Sequence, residues 1–88
     1  MKIKENFVLR QIAGQYVVVA IAQASVDFNG MITLNESSAL LWAKLEQGCD
    51  RAELIRALTE EYEVSEEKAA QDIDQFLAKL VSAGCLDD

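Results

Sequence analysis

Fifteen carboxylates and two thiols are the first side chains of this 88-residue sequence to weigh for acid–base, nucleophilic or metal chemistry. Glu60, Glu61 and Glu63 form one acidic cluster, and Glu66 and Glu67 form a second. Two carboxylates can share acid and base roles when their surroundings separate their pKa values. Both clusters, however, fall where helices end or begin, and acidic residues there are ordinary capping chemistry. The chain has no histidine. It therefore lacks the best general base at neutral pH and the commonest metal ligand. Cys49 and Cys85 are too few and too far apart in sequence for a thiolate zinc site, and no Cys–His nucleophile can be built. No P-loop or Rossmann glycine run accompanies the carboxylates. The expectation is a protein that is not an enzyme and takes no cofactor or metal. Its two cysteines read as free thiols in a reducing cytoplasm.

The remaining composition sets the class. Hydrophobic residues make up 51% of the chain, enough to fold rather than stay disordered. The length allows one domain, residues 1–88. With no proline and four glycines, long linkers are not expected. Charged residues interrupt the opening MKIKENFVLRQ, so it is not a signal peptide. The longest apolar run, residues 16–22, is too short to span a bilayer. A soluble, cytoplasmic protein with no membrane partner is expected. The net charge of -7 is unevenly spread. Residues 1–44 carry four basic and three acidic side chains, whereas residues 45–88 carry four basic and twelve acidic. The acidic half repels phosphate.

The first third reads as strands. FVLRQI, residues 7–12, mixes β-branched and aromatic residues with polar ones. Ala13-Gly14-Gln15 suits a tight connection, with Gly14 supplying a positive φ. YVVVAIA, residues 16–22, is the strongest strand signal and is apolar on both faces. Residues 23–27 read as a polar loop, Asn29-Gly30 as a turn or bulge, and residues 31–34 as a short strand. The rest is helical. Asn35 caps a helix to about Glu46, with Leu34 and Ala39 at hydrophobic-staple spacing. Ala39, Leu41, Trp42 and Leu45 form its apolar stripe, and Gly48 ends it. Asp50 followed by Glu53 starts a second helix, with Leu54, Ile55, Leu58 and Tyr62 inward. Ser65 caps a third, whose stripe is Ala69, Ala70, Ile73, Phe76, Leu77, Leu80 and Val81, with Gly84 as its stop.

Three antiparallel strands followed by three helices make an α+β domain, and the short helix connections suggest a winged helix-turn-helix. That architecture raises a winged-helix DNA-binding regulator or dimerisation module as the alternative reading. Its recognition helix would be the third. Here that helix sets Lys68 and Lys79 against Glu66, Glu67, Asp72 and Asp74, and has no arginine or asparagine to read base edges. No nucleic-acid partner is expected. Trp42 shares its stripe with Leu41 and Leu45, which makes it core rather than a ligand platform. The edge strand at residues 31–34 carries no charge and no proline. Such an edge accepts a strand from a partner peptide, or is covered by the N-terminal segment or by a second copy in a homodimer. The residues leave these readings open.

Order and spacing add a resemblance. NGMITLNESSALLW, residues 29–42, resembles the strand-to-helix junction of the PqqD family, where a hydroxyl-rich helix follows a Leu-Asn pair. EYEVSEEKAAQDIDQFLAKLVSAGCL, residues 61–86, resembles that family's last helix, with Asp72, the Phe76-Leu77 pair, Leu80, Gly84 and Leu86 in order. YVVV, residues 16–19, also fits. The resemblance implies a peptide chaperone that binds the leader segment of a ribosomally made precursor peptide by strand addition. The domain would then present the peptide to a modifying enzyme, often of the radical SAM type. The implied peptide-binding residues are Asn29, Met31, Ile32, Thr33 and Leu34 on the strand. On the helix they are Ala69, Asp72, Ile73, Phe76 and Lys79.

Overall fold

The computed structural model describes residues 1–5, 7–20 and 32–87. In chain order the elements are β1 (Lys2–Ile3), β2 (Phe7–Ile12), β3 (Gln15–Ala20), β4 (Ile32–Leu34), α1 (Glu36–Gln47), α2 (Arg51–Glu61), α3 (Glu66–Ala83) and β5 (Leu86–Asp87). β2, β3 and β4 form an antiparallel sheet in that order, and three helices follow it, as the α+β expectation held.

Local chemistry accounts for the element ends. Ile12 pairs with Gln15, leaving Ala13-Gly14 as a two-residue hairpin turn. Both residues have positive φ, 52° and 80°, as a type I′ turn requires. Glycine adopts this freely and alanine does not. Each helix begins on a residue with extended backbone whose side chain accepts an exposed N–H. The Ser38 N–H donates to Asn35 Oδ1 at 2.8 Å, the Glu53 N–H to Asp50 Oδ1 at 2.8 Å, and the Lys68 N–H to Ser65 Oγ at 3.1 Å. α3 stops at Gly84, which is left-handed. The Cys85 N–H bonds the Leu80 carbonyl at 2.9 Å and the Gly84 N–H bonds that of Val81 at 3.1 Å, a Schellman ending.

Period-two alternation buries Ile32 and Leu34 and exposes Thr33 between them. The inner sheet face, with Phe7 and Val18, meets Leu41, Trp42 and Leu45 of α1, Leu54 and Leu58 of α2, and Ala69, Ile73, Phe76 and Leu80 of α3. Trp42 is fully buried, and among the described residues its indole N–H has no partner. Val81, expected on the α3 stripe, is instead 59% exposed, because it follows Leu80 by a single position and so turns off the core face.

The strand expected over residues 16–22 is β3, whose last described residue is Ala20. The loop at 23–27, the Asn29-Gly30 turn and Met31 lie outside the described residues. The sequence pattern did not reveal the antiparallel pairing of β1 with β5. This clasp is extended by the Lys4 N–H on the Cys85 carbonyl at 2.8 Å and the Cys49 N–H on the Met1 carbonyl at 3.0 Å.

Candidate functional site

The sheet ends on β4, which pairs with β3 on one side and, among the described residues, with nothing on the other. Beside this edge α3 presents Asp72, Phe76 and Lys79, positions four and then three apart that share one helical face. Between strand and helix lies an open groove of about 320 Å³. Thr33, Leu34 and Asn35 form its strand wall, and Asp72, Gln75, Phe76 and Lys79 its helix wall. Ser37 and Ser38, in the first turn of α1, line it at the Asn35 end, and the buried Leu41 and Leu58 also contribute to its lining. Phe76 is only 6% exposed, so its ring belongs to the core and shows one edge to the groove.

The structure thus brings Thr33, Leu34, Asp72, Phe76 and Lys79 to one groove. Ile32 lies on the same strand with its side chain in the core and does not line the groove. Ala69 and Ile73 are fully buried and do not line the groove. They hold α3 against the sheet. Asn29 and Met31 fall outside the described residues. Asn35, expected from the sequence only as a helix cap, and Ser37, Ser38 and Gln75 also line the groove. For the first three the signal is the polar Asn-Glu-Ser-Ser run directly after an edge strand, which reads first as capping. Asn35 does cap α1, and the Ser37 hydroxyl donates to its Oδ1 at 3.0 Å.

Charge is arranged unevenly along α3. The Lys68 ammonium sits 3.0 Å from Asp72 Oδ1. Arg51 of α2 grips Asp74 with a two-pronged contact, Nε to Oδ1 at 2.8 Å and Nη2 to Oδ2 at 3.0 Å. That hydrogen bonding holds the Asp74 carboxyl below the usual carboxylate range. Neither thiol is primed for nucleophilic work. Burial raises the Cys49 pKa, with Glu53 adding to it, and burial pushes Cys85 up to about 11.

A model of the family described as coenzyme PQQ synthesis protein D, PqqD, matches residues 15–86. The chain belongs to the PqqD family. The match begins at the first residue of β3 and ends in β5, so it includes both walls of the groove. Two solved structures share the fold of this PqqD-family chain. TbiB1 in complex with the TbiA(beta) leader peptide superposes with a TM-score of 0.79 at 24% identity, over 99% of this chain and 95% of that one. A lasso peptide synthetase B1 complexed with the leader peptide gives 0.75 at 24% identity, over 96% and 93%. No curated protein sequence matches the chain significantly.

Proposed function

We propose that this PqqD-family chain recognises the leader segment of a ribosomally made precursor peptide and presents that peptide to a modifying enzyme. The leader adds as a strand to β4, and its side chains enter the groove against α3. The observation that carries this reading is the short, uncharged edge of β4 beside a groove walled by a helix. Backbone hydrogen bonds to such an edge supply affinity that is nearly blind to sequence, and the groove supplies selectivity. Family membership and the two leader-peptide complexes of the same fold support it. A duplex-DNA role has no such support, because α3 offers mainly carboxylates to phosphate.

The chain itself performs no chemistry in this reading. The partner is a peptide-modifying enzyme, which the family resemblance implies is often of the radical SAM type, and the encounter is cytoplasmic, where precursor peptides are made. The 88 residues act as one recognition domain. A second copy of the chain can compete for β4, since an unblocked apolar edge pairs readily. The test is amide chemical-shift mapping with a leader peptide encoded beside the gene. Shifts concentrated on Ile32–Leu34 and on residues 69–79 are expected. Shifts confined to α2 sink the proposal.

A further inference from the structure

We infer that the groove reads an extended peptide in one direction, with an apolar side chain followed four residues later by an acidic one. This rests on the leader-binding reading and specifies its ligand. The first observation is a second open pocket, about 470 Å³, that continues the groove past Asp72. The two share Asn35, Ser37, Leu58 and Asp72, and the second adds Glu36 at its rim together with Tyr62 and Val64, which are half-buried and packed on the core. It is the apolar end of the site. The second observation is Lys79 at the other end. Among the described residues the ion pairs are Arg51–Asp74 and Lys68–Asp72, and Lys79 is in neither. Its helical neighbours Gln75, Phe76, Ser82 and Ala83 carry no charge. An exposed cation in a groove wall with no carboxylate at hand suits an acidic ligand residue.

Direction follows from the strand. Asn35, just beyond β4, lies at the end shared with the apolar pocket, so β4 runs from the Lys79 level toward the Asp72 level. A peptide added antiparallel to β4 runs the opposite way. Its N-terminal part therefore meets the Tyr62–Val64 pocket and its C-terminal part meets Lys79. Asp72 and Lys79 are seven residues apart on α3, which is about 10 Å of helix rise, or about three residues of extended peptide. The apolar pocket starts beyond Asp72, and side chains facing α3 recur every second residue. Four is therefore the spacing that fits both length and parity.

A random-peptide display library selected on the immobilised full chain tests this. Enriched peptides should carry Leu, Ile, Phe or Tyr, three free positions, then Asp or Glu, in that order. Lys79→Glu should turn the acidic preference into a basic one. Lys79→Ala should weaken the best selected peptide by about two- to five-fold, as an exposed ion pair implies, and the loss should shrink with added salt. Lys79 is exposed, so circular dichroism should find both variants folded. Three results overturn the inference alone while the peptide still moves β4 and α3 amides. These are an acidic residue on the N-terminal side, no acidic signature, or an unchanged preference in Lys79→Glu. A selection that enriches nothing, or only peptides bound elsewhere, overturns the proposed function as well.

Discussion

Lys68 Nζ lies 3.0 Å from Asp72 Oδ1, one turn earlier on α3, so the groove carboxylate is already engaged by its own helix. Both side chains are exposed, 61% and 44%, and such a pair is worth about 0.3–0.5 kcal/mol. Lys68→Ala should therefore leave stability nearly unchanged. It should free Asp72, improving a groove-bound peptide with a lysine at that level by about two-fold and leaving its glutamine counterpart unaffected. Asp72→Ala should remove that difference. Anisotropy titrations of the two peptides against the three proteins decide it. A lysine preference that survives Asp72→Ala rules this carboxylate out.

Two backbone positions should respond in opposite directions. Ala13 sits at φ 52° in the hairpin turn. Ala13→Asn, which creates the Asn-Gly pair favoured there, should raise stability by about 1 kcal/mol. Gly84 sits at φ 77°, and among the described residues nothing beyond its chain neighbours lies within 4 Å of where a Cβ would be. Gly84→Ala should cost about 1 kcal/mol from backbone strain alone, since no neighbour is struck. Urea unfolding measures both, and equal m-values would show that the denatured state is unchanged.

The thiols should differ in reactivity and in pH linkage. Cys85 is fully buried and Cys49 is half-buried, so an alkylating reagent should label Cys49 first under native conditions. The Cys85 thiol has a pKa of about 11 in the fold against an ordinary value of 9.0. A thiol raised in the folded state contributes stability that is fully present below pH 9 and lost as pH climbs toward 11, because the unfolded chain ionises first. Cys85→Ala should flatten that part of the stability–pH curve. An unchanged slope between pH 9 and 11 would assign the alkaline loss to other groups.

The helix starts were legible because capping is local. Asn35, Asp50 and Ser65 each act within three residues, and each was identifiable in the sequence. The groove was only half legible. Its walls come from residues 33–38 and 72–79, which no local pattern links, so Ser37, Ser38 and Gln75 read as ordinary solvated positions. The family resemblance supplied Asp72, Phe76 and Lys79. It also supplied Ala69 and Ile73, which the helical period turns fully into the core. The β1–β5 clasp escaped because two-residue strands are too short to show alternation.

Strand addition to β4 makes a prediction that needs no change to the protein. In an antiparallel ladder, alternate residues of the added strand direct their N–H groups toward the edge, and the others direct them to solvent. A peptide selected on this chain and N-methylated one residue at a time should therefore lose affinity with a period of two across the segment facing Ile32–Leu34. Each lost bond is worth about 1 kcal/mol net, or roughly five-fold. The methyl group also collides with the edge, so losses of tenfold are expected at inward positions, with little change between them. Side-chain truncation should follow the same period but different chemistry, costing affinity only where the residue enters the groove beside Phe76. A peptide that docks instead as a helix would lose affinity at nearly every interior methylated position, because each N–H there bonds the carbonyl four residues back, and its side-chain truncations would matter every three to four residues. Calorimetry across the methylated series separates the two, and near-uniform sensitivity in place of a period of two would remove β4 from the site while leaving α3 in it.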